Sequence, residues 1–337
     1  MNSVSLSLPG AVPGAAPDAD VAAHYGDPVA EQRALERAAG WVDRGNRGVL
    51  RVTGPDRLGW LNDLTSQLVR ELPPGEATEA LVLGPHGHVE HHLSAVDDGT
   101  AFWAHVEPGT IGALHAYLDS MRFLLRVEVD DVTDSFTVLT LAGPEAAAHV
   151  PDGLVARRTG EEVDLFVPTE TAAATAQALT AAGVRPAGMW AYEARRIAAH
   201  RPRLGLDTDD RTIPHETGWI GPAVHLDKGC YRGQETVARV HNLGRPPRRL
   251  VMLHLDGHAD RLPAHGAPVE AAGRAVGFVG SAARHHELGP IALAVVKRNT
   301  PVDAELLADG IAAAQEVVVS PDTGANANIT LRRTPRA

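Results

Sequence analysis

Three things are scarce in this chain of 337 residues. It has one cysteine, Cys230, so an intramolecular disulfide is excluded and the composition fits a reducing cytoplasm. No apolar run approaches the roughly 18 residues that a membrane helix needs, so no membrane partner is expected. The first residues lack the basic start and apolar stretch of a secretory signal. Positive charge is short as well: the formal balance is −11 at pH 7. A general nucleic-acid binder draws its affinity from neutralised phosphates, so no stable nucleic-acid binding is expected.

Hydrophobic residues make up 44% and charged residues 22% of the chain, a composition that folds, over a length that suits two or three domains. Pro9, Gly10, Pro13, Gly14 and Pro17 lie among small residues, and residues 1–27 read as a flexible arm. Residues 321–337 read as a polar tail, in which Asn328-Ile-Thr330 matches a glycosylation pattern that a cytoplasmic protein does not use.

Between these ends the patterning is that of an α+β protein. A helix is expected near 28–39 and a strand at 48–52, followed by Thr53-Gly-Pro-Asp56, a helix-opening device that carries Leu58, Trp60, Leu61 and Leu64 inward. The device recurs at Ala142-Gly-Pro-Glu145 after a strand at 136–141, which suggests two related α+β modules. Strands at 80–83, 88–96 and 101–106 form a meander around the turn signals Gly84-Pro-His-Gly87 and Asp97-Asp-Gly99. A helix at 111–121 and a strand at 126–132 follow, then helices at 169–182 and 190–200. Past Pro246 short apolar runs at 250–255, 275–279, 291–296 and 316–319 without helices indicate a small β-barrel or sandwich.

The densest group of reactive side chains is Lys228-Gly-Cys-Tyr-Arg-Gly-Gln-Glu235. Lys228 and Arg232 flank Cys230 and favour its thiolate if they face the sulfur; a buried, inert cysteine is the competing reading. From Lys228 to Arg249 six basic residues stand against one acid, which points either to an anionic partner or to a solvated loop.

This eight-residue motif resembles the signature of the YgfZ family, relatives of the glycine-cleavage T-protein, and the stretch from Arg201 to Trp219 is similar to its actinobacterial members. The resemblance spans about residues 28 to 320. It implies an α+β, T-protein-like ring of three domains around a central cavity: a discontinuous first domain (28–52 plus 135–245), a second inserted in it (53–134), and a C-terminal barrel (246–320). It further implies binding of tetrahydrofolate or a one-carbon derivative, and a role in making or repairing iron-sulfur clusters of client enzymes. Cys230 and Lys228 are carried over as the catalytic pair, and Tyr231, Arg232, Gly233, Gln234 and Glu235 as the rest of the functional loop. Arg239 and Arg245 are candidates for the folate glutamate carboxylates, since guanidinium pairs well with them.

The chain departs from the aminomethyltransferases where they carry paired aspartates. Here Gly87-His-Val-Glu-His-His-Leu93 places His91 and His92, and a protonated histidine does not offset a developing cation. Their pterin-binding glutamate falls on Ala198. The two histidines argue against the glycine-cleavage reaction, and the loss of the glutamate leaves pterin donors without their partner, which bears on folate affinity and orientation. A folate-dependent aminomethyl or methyl transferase is the first alternative, and a factor associated with RNA modification the second. No resident metal is expected: one cysteine cannot hold an iron-sulfur cluster, and the alternating His86, His88, Glu90 and His92 read as a strand face meeting solvent or a cavity before a metal site. His285-His286 reads as a surface pair.

Overall fold

The computed structural model of the protein describes residues 3–325. Most of the expected tail, with Asn328-Ile-Thr330, lies outside them. The chain opens with a 3₁₀ turn and a hairpin of β1 (Val12–Pro13) and β2 (Ala22–His24). Val21 is fully buried, in a cluster with Leu35 and Val42, and the Ser5 amide donates to Asp43 at 2.9 Å. Residues 3–27 are therefore packed on the body, a correction to the expected flexible arm. Their small residues suit close packing as well as disorder.

Helix α1 (Pro28–Arg37) starts with proline at its first turn, and the Asp27 carboxylate accepts from the Ala30 amide at 2.9 Å. The strands β3 (Gly40–Asp43) and β4 (Gly48–Thr53) then go to different sheets. From β4 the chain runs through α2 (Arg57–Leu64), the meander β5 (Ala77–Leu83), β6 (Val89–Asp97) and β7 (Ala101–Val106), then α3 (Ile111–Ser120) and β8 (Glu128–Asp131). These strands form a sheet in the order β5-β6-β7-β4-β8, with Trp60, Leu61, Leu93, Leu114 and Leu118 in its core. The second part of the chain's first half returns to β3. Strands β9 (Phe136–Ala142), β10 (Val155–Thr159), β11 (Glu162–Pro168) and β12 (Arg185–Ala187) join it in the order β10-β11-β9-β3-β12, backed by α4 (Ala172–Ala181).

The expected division after residue 52 cuts through β4, which pairs with β7 and β8 along its length. The separation of the sheets falls instead at the turn between Asp43 and Gly48. After α5 (Met189–Ala198) and a 3₁₀ turn at Pro214–Glu216, α6 (Gln234–Asn242) leads to the barrel. Its strands are β13 (Arg248–Leu255), β14 (Pro268–Ala271), β15 (Arg274–His285), β16 (Gly289–Lys297), β17 (Leu306–Ala308) and β18 (Ile311–Val317). They close in the order β13-β16-β15-β14-β17-β18 around Leu253, Val269, Val279, Ala294 and Leu306. Closure leaves no free edge strand.

Candidate functional site

A cavity of about 450 Å³ opens between the two sheets and the segment that follows α5. Successive residues of a strand face opposite sides, so β6 sends His92 and Ser94 into this cavity while Leu93 and Ala95 go to the core behind it. His91 goes with the core side and does not line the cavity; burial holds it down to about 4. On the neighbouring strand, Glu79 meets His92: Nε2 and the carboxylate are 2.9 Å apart. Burial works against the Glu79 anion, yet the bond from His92 and the charges of His92, Arg157 and Arg201 outweigh it and bring the group to about 2. Ionised Glu79 accepts from His92 Nε2–H. The Trp219 ring stacks on His92 with centroids 5.0 Å apart.

The remaining wall is ionic. Six arginines and four carboxylates line the cavity, and the arginines are tied to acids. Arg203 donates to Asp18, Glu107 and Glu193 at 2.8 to 3.1 Å. Arg44, Arg157 and His105 converge on Asp164, whose buried carboxyl they hold well below the usual range. Isolated buried charges would cost several kcal/mol each, so a cage of this kind persists only if the pairing is nearly complete. It is not entirely so: the buried Nε groups of Arg44, Arg47 and Arg201 have no hydrogen-bond acceptor among the described residues.

The Lys228-to-Glu235 motif lies elsewhere. None of its eight residues lines the cavity. The Lys228 ammonium donates to the Asn62, Thr65 and Gln67 carbonyls at the end of α2, the last two at 2.5 and 2.9 Å. Burial lowers it to about 8, while the carbonyls at a helix C-terminus hold the charge in place. It therefore caps a helix and does not line this cavity. Tyr231 is 8% exposed in a cluster with Leu81, Leu83, Trp219 and Val237, and burial raises it to about 12. Gly233 has φ 80° and sits against the β5–β6 turn so tightly that a Cβ would stand 2.6 Å from the Gly84 carbonyl oxygen. The Gln234 amide folds back to the Lys228 and Gly229 carbonyls at 3.3 and 3.4 Å.

Three members face outward. Arg232 pairs with Glu90 at 3.2 Å, Glu235 pairs with Arg239 at 2.7 Å along α6, and Cys230 is exposed. Arg245 pairs with Asp322 at 2.9 Å, so neither Arg239 nor Arg245 reaches the cavity. Arg248 bridges Asp209 and Glu216, and Arg249 is buried. The basic segment thus presents no open cationic track. The motif's tie to the cavity is indirect: Tyr231 and Val237 pack in the cluster that holds Trp219 from behind.

Sequence reasoning missed Glu79, Trp219 and the arginine cage. Register alone could have found Glu79, since it lies opposite Ser94, a diagonal neighbour of His92 on the same face. The His285-His286 reading also needs correction, because the His286 side chain is 2% exposed.

Residues 13–155 match the family described as GCVT N-terminal domain, and residues 248–335 the glycine cleavage T-protein C-terminal barrel domain. The chain is 32% identical over 302 residues to an aminomethyltransferase of Geobacillus kaustophilus, covering 79% of this chain and 81% of the relative. It is 30% identical over 306 residues to one of Rubrobacter xylanophilus, covering 82% and 81%. Its fold is similar to that of the glycine cleavage system aminomethyltransferase T from Bartonella henselae, with a TM-score of 0.79 at 20% identity over 91% of this chain and 93% of that one. Among the described residues no helix is long and apolar enough to cross a membrane.

Proposed function

The chain belongs to the glycine-cleavage T-protein family, and from that premise we propose that it is a folate-dependent one-carbon transferase of the aminomethyltransferase type, with tetrahydrofolate or a one-carbon derivative held in the central cavity. The observation that carries this reading is the wall of His92, held by the Trp219 ring, bordered by the Glu79 carboxylate and the Arg44, Arg47 and Arg201 side chains. A flat heteroaromatic ring with both carbonyl and N–H edges suits such a wall.

Tetrahydrofolate supplies the nitrogens that carry the one-carbon unit. In this reading the His92 imidazole takes a proton from a bound nitrogen, and anionic Glu79 stabilises the resulting imidazolium through Nε2–H. The Glu79–His92 pair thereby stands in for the aspartates that the strand lacks. The arginine cage keeps the wall rigid and positions Trp219's surroundings.

Isothermal calorimetry with tetrahydrofolate tests the reading. Saturable binding is expected, weakened at least about tenfold by Trp219→Leu in a variant whose circular dichroism is unchanged, because the nearly fully buried indole holds the His92 ring in place. No saturable heat with the unaltered protein removes it. Turnover is then assayed with aminomethyl and N-methylated amine donors.

A second reading, an accessory factor for iron-sulfur client enzymes, is favoured by one observation: Cys230 is exposed on a loop whose neighbours Lys228, Tyr231 and Gly233 are all fixed in place. Folate binding without turnover on any donor, together with loss of client activity in Cys230→Ser, would favour it over the transferase.

A further inference from the structure

A second cavity, about 360 Å³, lies on the far side of the Glu162–Arg201 ion pair from the first; the two residues line both. Its rim joins α1 to the β15–β16 turn of the barrel, regions some 250 residues apart in sequence. The joint is well made. Gln32 accepts from the His286 amide at 2.8 Å and donates to the Arg284 carbonyl at 2.9 Å. His285 Nδ1 accepts from the Glu287 and Leu288 amides, both at 3.2 Å, and its ring stacks on His286 with centroids 4.8 Å apart. These bonds fix the backbone at His286, and the His285 ring packs against its imidazole.

At the rim, His286 Nε2 and carboxylate oxygens of Glu36 and Glu287 all lie within 4.8 Å of one another. The Nε2 atom is 2.7 Å from Glu36 Oε2, yet that approach is not aligned for a hydrogen bond, and Nε2 is a buried nitrogen with no hydrogen-bond partner among the described residues. The His286 side chain is 98% buried, whereas both glutamates reach solvent, at 40% and 56% exposure. The donor set, one imidazole nitrogen and two carboxylates, suits a borderline divalent ion such as zinc better than magnesium or calcium.

We propose that Glu36, His286 and Glu287 form a divalent transition-metal site, taken by zinc, that fastens helix α1 to the barrel. Three protein donors leave a coordination position for water on the cavity side. The nearest competing cation is Arg37, whose guanidinium lies 3.3 Å from Glu287; at 63% exposure it swings into solvent when the ion enters. An ion that binds only the joined form stabilises the fold by mass action.

The test uses full-length untagged protein stripped with EDTA and titrated with zinc chloride by equilibrium dialysis and calorimetry, with thermal unfolding read in parallel. Because both carboxylates are at the surface, Glu36→Gln and Glu287→Gln leave the fold intact. One tight zinc equivalent is expected, with a higher unfolding midpoint in zinc than in EDTA. Either amide substitution weakens binding at least about tenfold and abolishes the shift in midpoint. The chain has 17 histidines, so zinc bound equally well by the Glu36→Gln/Glu287→Gln double variant sits elsewhere and overturns the proposal. Absence of a stoichiometric zinc site in the unaltered protein overturns it too.

Discussion

The loop from Lys228 to Glu235 and the cavity wall around Trp219 use charged groups in opposite ways. In the loop, several groups that look reactive in the sequence are consumed by architecture, while Cys230 stays exposed: an ammonium caps α2, a phenol fills a cluster, a glycine permits contact between two turns. In the wall, groups scattered from Asp18 to Trp219 are brought together, and donors remain unmatched. A dense motif reports where the backbone is over-determined. A binding surface assembled across sheets leaves almost no trace in any one stretch of sequence.

Three substitutions sharpen the contrast. Arg203→Met should cost the most, about 3–5 kcal/mol in urea unfolding, because Asp18, Glu107 and Glu193 all lose their shared cation. A loss below about 1 kcal/mol would mean that the cage is far wetter than its burial indicates. Lys228→Met removes one capping ammonium and leaves carbonyls at the end of α2 without their donor, for an expected loss of about 1–3 kcal/mol. Unchanged stability combined with loss of activity would return Lys228 to the catalytic role. Cys230→Ser should change stability by less than about 0.5 kcal/mol, since the residue is exposed, and should leave tetrahydrofolate affinity within about twofold. A large drop in folate affinity would join the two regions into one site.

Much of the architecture was legible from short-range chemistry. The Gly-Pro devices marked both helical openings, and the turn glycines delimited the meander, because each is a local steric requirement. The strands β14 and β17 were not seen: at four and three residues they are too short to show alternation, and barrel closure rather than propensity makes them strands. Helix α6 was read as part of a reactive loop because Gln234 and Glu235 drew attention by type, although Val237 and its buried position mark a helix face. At the site, His91 and His92 were legible as a pair, and strand alternation separates them onto opposite faces. Glu79 and Trp219 belong to the cavity only through register and tertiary packing, which composition does not encode.

The bond from Arg203 to Asp18 joins residues 185 positions apart. During synthesis, at roughly 5–20 residues per second, the earliest carboxylate of the cage waits on the order of ten to forty seconds for its cation to leave the ribosome. Through that interval the nascent hairpin has only its local packing to keep it in place. A substitution at Asp18 is thus felt at the centre of the molecule.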